Sequence, residues 1–156
     1  ILESGCKAII IRTSWVYSEY GNNFLKTMLQ LAESRDVLSI VHDQIGRPTY
    51  AQDLASIIVK IIKFIKINDG FNDWGIYNYC GNHSCSWFEF AELIFNCAKN
   101  KNLKIPNKII PVSSEAFLTK ALRPKFSVLS NKKIERIFCV QASDLKSGIQ
   151  SAIINH

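Results

Sequence analysis

Residues 7–13 (KAIIIRT) form an unbroken aliphatic run rich in β-branched side chains. Such a run suits a strand buried on both faces, as parallel sheets contain, better than a one-sided hairpin strand. Parallel neighbours need a crossover connection, usually a helix. A chain opening on this run is therefore bound toward α/β layering, with strands and helices in alternation.

The rest of the sequence keeps that alternation. Helical spacing of Phe24, Met28, Leu31 and Ala32 predicts a helix over 22–35, with Asn22 as N-cap. A short strand is predicted over 37–41, then a polar loop over 42–49 and a long helix over 50–67. Residues 76–80 (IYNYC) read as a second buried strand. Ser86-Trp87-Phe88-Glu89 matches the S-x-x-E capping box that opens a helix running to about residue 100. Residues 109–112 predict a strand near an edge, because Pro111 cannot donate to a ladder. An extended segment begins at Leu122, and short helices are expected near 131–138 and 143–154. Two convincing buried strands are too few for four or five helices, so either the fold is an unusual small one or part of the sheet lies outside this sequence.

Composition narrows the partners. The net charge is +6 over 156 residues, which admits an anionic ligand. The lysines punctuate separate helices (Lys60, Lys63 and Lys66; Lys132, Lys133 and Arg136) and form no basic stripe, so nucleic acid is not expected. The same three lysines give residues 54–67 a wet face, which argues for an amphipathic helix and against a membrane span. Five scattered cysteines without a C-x-x-C pair read as reduced, mostly buried thiols. Cys80-x-x-His83-x-Cys85 lacks a fourth ligand, so no metal is expected. Residues 1–5 show no basic n-region or long apolar stretch, and a cytoplasmic location is expected.

Five strings occur in a telling order: Arg12-Thr13-Ser14-Trp15-Val16-Tyr17, Gly21-Asn22-Asn23-Phe24, Asp43-Gln44-x-Gly46-x-Pro48-Thr49, Cys85-Ser86-Trp87-x-x-Phe90-Ala91, and Arg123-Pro124 with Ser127. Together, over residues 7–137, they resemble the dTDP-4-dehydrorhamnose reductase family of extended short-chain dehydrogenases. The resemblance implies the C-terminal part of a Rossmann-like NAD(P)-binding fold with the small substrate-binding lobe, over residues 1–156. It implies NADPH- or NADH-dependent reduction of a dTDP-6-deoxyhexose, giving dTDP-L-rhamnose, in the parent protein.

The family's glycine-rich turn and its Tyr-x-x-x-Lys pair have no counterpart here. Tyr17, Tyr20, Tyr50 and Tyr77 are not followed by lysine at the fourth position. The cofactor-binding half is therefore expected to be missing, and this chain alone to be inactive. Alternatives within the resemblance are another nucleotide-sugar reductase or epimerase, or a non-catalytic regulatory subunit.

Site residues follow from the same match. Trp15 stands just after a strand, where open parallel sheets place ligands, and is either a wall of the sugar site or a core residue. Asn23 corresponds to a diphosphate contact or is only a helix-start residue. Arg47 and Arg123 are loop arginines able to hold a diphosphate by bidentate bonds, or surface residues. Thr13 is placed near the nicotinamide, or simply at a strand end. Gln44, Gly46 and Thr49 either shape the substrate loop or serve the fold. Gln52 stands where some members carry a metal-binding glutamate, so a metal-linked dimer is not expected. An isolated half would expose an apolar face, which makes a homo-oligomer possible.

Overall fold

A computed structural model describes residues 2–116 and 123–154. The expected helices and longer strands appear in order, joined by four two-residue strands (β2, β4, β5 and β7) in segments where the sequence predicts none: β1 (Ile9–Arg12), β2 (Val16–Tyr17), α1 (Phe24–Ser34), β3 (Val37–Val41), β4 (Ile45–Gly46), β5 (Thr49–Tyr50), α2 (Ala51–Ile67), β6 (Gly75–Asn78), β7 (Cys85–Ser86), α3 (Trp87–Lys99), β8 (Lys108–Val112), α4 (Lys132–Phe138) and α5 (Leu145–Ile154). Leu122, the expected start of an extended segment, lies outside the described residues.

The strands pair two by two. β1 and β6 are parallel, with Ile9 opposite Gly75 and Arg12 opposite Asn78, and α2 lies between them in sequence as the crossover. β3 runs parallel to β8 and β2 to β5, while β4 and β7 are antiparallel. Pro111 sits in β8 opposite Ile40, and among the described residues β8 pairs only with β3, as expected of a proline-bearing edge.

Two apolar clusters result. α1, α3 and α5 pack around Leu25, Phe90, Ile94 and Ile149 to build a lobe. Ile57 and Ile61 of α2 meet Tyr77 of β6 and Ile134 and Phe138 of α4 to cover the β1–β6 pair. Gly148 is where α5 approaches β2, since a Cβ there would lie 2.4 Å from the Tyr17 hydroxyl.

Two local expectations are corrected. β1 is not buried on both faces: Ile9, Ile10 and Ile11 are half-buried and Arg12 is exposed. A doubly buried strand needs cover on each side, and among the described residues that cover is incomplete. α2 shows the same deficit, with Ile58, Val59 and Ile62 between 41% and 50% exposed although the helix is strongly apolar. The α1 N-cap is Asn23 rather than Asn22, because the Asn23 Oδ1 accepts the Lys26 N–H at 3.2 Å.

The α3 capping box forms as predicted. The Glu89 N–H donates to Ser86 Oγ at 3.1 Å and the Ser86 N–H to Glu89 Oε2 at 2.7 Å. Cys80, Cys85 and Cys97 are buried, whereas Cys6 and Cys139 are exposed, and all five are free thiols. Among the described residues no helix is long and apolar enough to cross a membrane. Among them, too, no three His, Cys, Asp or Glu side chains converge as a metal site.

Candidate substrate site

Short pairings bring the motif segments together. β2 and β5 join the segment after β1 to Thr49-Tyr50, and β4 and β7 join Gly46 to Cys85. The 123–127 segment docks on the same loop: the Ile45 N–H donates to Lys125 O at 2.8 Å and the Ser127 N–H to Ile45 O at 2.8 Å. Residues distant in sequence thus meet beside α1 and β3.

A cavity of about 580 Å³ opens there. Met28, Leu31 and Ile40 form apolar walls, Phe24 and Trp87 an aromatic one, and Gln44 and Arg123 contribute polar groups. The size and the few convergent polar groups suit a small organic ligand.

Behind the aromatic wall, Trp15 stacks on Trp87 with ring centroids 3.5 Å apart and planes 8° from parallel. Phe24 is tilted 45° to Trp87 at 4.6 Å. Trp15 has φ 48°, a left-handed conformation that a bulky residue rarely adopts. Such strain persists where surroundings over-determine it, often at ligand sites. The surroundings here are Trp87, the Trp15 carbonyl accepting the Thr49 N–H at 3.2 Å, and Gly46 against the indole.

The other expected residues distribute as follows. Asn23 is half-buried, and its Nδ2 donates to Ser18 O at 2.8 Å and Tyr20 O at 3.1 Å. Its side chain is therefore engaged in the α1 cap and the loop before it. Arg47 does not join Arg123. Its Nε donates to Ser84 Oγ at 3.1 Å and its Nη1 to Leu129 O at 3.3 Å, beside a separate cavity of about 370 Å³. Thr13 is half-buried, and its Oγ1 is buried with no hydrogen-bond partner among the described residues. An orphaned hydroxyl at the end of β1 is a group that a bound polar ligand would satisfy.

A sequence profile described as the RmlD substrate binding domain matches residues 1–156. The chain belongs to that family. It is 41% identical over 146 residues to dTDP-4-dehydrorhamnose reductase of Aggregatibacter actinomycetemcomitans, covering 93% of this chain and 49% of that protein. The crystal structure of dTDP-4-dehydrorhamnose reductase from Bacillus anthracis str. Ames, in complex with NADP, superposes with a TM-score of 0.80 at 40% identity, over 96% of this chain and 48% of that one. The Clostridium acetobutylicum ortholog matches at 34% identity with a TM-score of 0.80, over 94% and 48%. The chain thus spans about half the length of the relatives it matches.

Within this RmlD substrate binding domain, Trp87 and Phe24 are the residues that sequence reading undervalued. Trp87 reads as the first residue after a helix cap and Phe24 as a core position. The available signal was that both open their helices inside family strings.

Proposed function

We propose that this chain is the substrate-side half of an NADPH-dependent dTDP-4-dehydrorhamnose reductase, which reduces the 4-keto group of dTDP-4-dehydro-L-rhamnose to give dTDP-L-rhamnose. One observation carries the reading. The segments that resemble the family converge on one cavity, where an aromatic wall stands beside Gln44 and Arg123. An apolar ring surface next to a guanidinium suits a ligand combining rings with a diphosphate.

On the substrate side stand Trp15, Asn23, Arg47 and Arg123. Arg123 offers the diphosphate a bidentate donor. Asn23 acts as the cap that shapes the start of α1, and Arg47 from the neighbouring cavity. Thr13 faces the cofactor, and its unpartnered Oγ1 fits a polar group of a nicotinamide nucleotide. The cofactor supplies the hydride. The chain's own contribution is to bind and orient the sugar nucleotide and to keep water from its ring.

The proton donor lies outside this chain, so the chain alone is inactive and the parent protein, of about twice this length, is active. The assay is NADPH oxidation with dTDP-4-dehydro-L-rhamnose, run on the parent protein and on residues 1–156. Turnover by the parent and none by the half is the expected result. No turnover by an intact parent that carries a Tyr-x-x-x-Lys pair would overturn the reading. The parent is proposed to act in the cytoplasm. The exposed apolar flank of α2 is consistent with self-association of the isolated half.

A further inference from the structure

Arg47 stands where three segments of the candidate site meet, although its side chain lines the other cavity. Its Nε donates to Ser84 Oγ at 3.1 Å, and Ser84 directly precedes β7 and the helix that Trp87 opens. Its Nη1 donates to Leu129 O at 3.3 Å, in the segment that carries Arg123. Its carbonyl accepts the Ser14 hydroxyl at 2.8 Å, next to Trp15. A single residue thus holds the chain leading to Trp15, to Trp87 and to Arg123.

The bond to Leu129 continues a pairing that the backbone begins. Ile45 bridges Phe126 in parallel, its N–H donating to Lys125 O and its carbonyl accepting the Ser127 N–H, both at 2.8 Å. Carried one step further along both chains, a parallel ladder reaches Arg47 and Leu129. At that step the guanidinium makes the link, while the Arg47 carbonyl is turned to Ser14. A planar fork holds two acceptors in a fixed relation, which one ammonium on a flexible stem cannot do. Arg123 is itself exposed, so its place at the 580 Å³ cavity depends on how its segment docks and not on burial of its own side chain.

We propose that Arg47 is a positioning residue for the substrate site: it contacts no part of the ligand and acts by fixing where Arg123 stands relative to the aromatic wall. This rests on the nucleotide-sugar reading above, in which Arg123 meets the diphosphate. Such a contact is remote from the reacting carbonyl and serves the bound ground state and transition state alike. Misplacing it therefore raises KM and leaves kcat in place.

The test is steady-state kinetics of the full-length parent with NADPH and dTDP-4-dehydro-L-rhamnose, as a double-variant cycle on Arg47 and Arg123. Arg47→Ala is expected to raise KM about tenfold with kcat within about twofold. Arg47→Lys should recover little of this, because it restores the charge without the fork. In an Arg123→Ala background the same Arg47→Ala change should add less than about twofold, since the group it positions is gone. Ser84→Ala, at an exposed serine, removes only one anchor and should raise KM about two- to threefold, which keeps the test open if Arg47→Ala does not fold. A strut that serves stability alone would lower the melting temperature and leave KM unmoved in Arg47→Ala and Ser84→Ala. A direct ligand contact would give effects that add to those of Arg123→Ala and are largely restored by lysine. Either result would overturn the inference and leave the nucleotide-sugar reading standing. A wild-type parent without turnover of this substrate would remove that reading and the inference with it.

Discussion

Asp43 holds Ser114 twice across 71 positions, accepting the Ser114 N–H at 2.8 Å and its hydroxyl at 2.9 Å. The pair ties the loop after β3 to the chain leaving β8, next to the Gln44 that faces the cavity. Burial alone would push the Asp43 carboxyl upward, but the Ser114 hydrogen bonds and nearby Lys125 outweigh it and hold the group below the usual carboxylate range.

A depressed folded-state pKa gives stability that is present above the unfolded value of about 3.9 and is lost as pH falls through the folded value. Urea midpoints measured from neutral pH downward should therefore drop below about pH 4. Asp43→Asn should shrink that step without abolishing it. Asp144, lowered by hydrogen bonds from the Ser147 backbone and hydroxyl, supplies the remainder. An identical acid step in the variant would show that the Asp43–Ser114 pair does not contribute.

Gly46→Ala should disturb the indole pair. The added methyl cannot fit 2.3 Å above Cε2, so either Trp15 leaves its stack or the β4 backbone shifts. Overpacking of this kind costs about 1–3 kcal/mol. Near-ultraviolet circular dichroism should lose the contribution of the stacked tryptophans while the far-ultraviolet spectrum stays. An unchanged near-ultraviolet spectrum would show that the contact relaxes without moving the ring.

Asn131 is 4% exposed and serves Cys80 from both ends of its amide. Its Oδ1 accepts the Cys80 N–H at 3.0 Å and its Nδ2 donates to Cys80 O at 2.6 Å. Asn131→Ala leaves two buried backbone groups unpaired, for a loss of about 1–3 kcal/mol. At roughly 2–4 °C per kcal/mol for a chain of this size, a thermal melt resolves it. A shift under about 1 °C would mean that water takes over both bonds.

The thiols should split two against three. Cys6 and Cys139 are exposed. Burial pushes the Cys85 thiol up to about 12, helped by Glu89, and raises Cys97 despite Lys146 and Cys80 despite Arg47. Protonated and covered, these three cannot act as thiolates. Ellman's reagent near pH 8 should label two sites quickly and the others only on denaturation. Fast labelling of a third site in the native protein would place one of the buried thiols in a locally opening segment.

Much of the fold was legible in the sequence because the signals are local. The β-branched run of β1, the helical spacing of α1 and the Ser86–Glu89 box each act within a few residues, and each element appears where expected. Family membership was legible for a related reason: the order of motif strings is itself a sequence property. The N-cap was misplaced by one residue because both Asn22 and Asn23 can cap. Only the loop fold around Ser18 and Tyr20 selects the second.

What tertiary structure alone decided is which distant residues share a site. Arg47 and Arg123 look alike in sequence, yet Arg47 is engaged by Ser84 and Leu129 beside one cavity while Arg123 lines another. Trp15 and Trp87 are 72 positions apart, and nothing in either neighbourhood announces that they stack. Nor could a side-chain pattern show that Gly46, by lacking a Cβ, leaves room for one face of that pair. Periodicity records how a residue faces its own helix or strand. Contacts between elements depend on how the elements dock, and here the docking of β4 on β7 and of the 123–127 segment on Ile45 built the site.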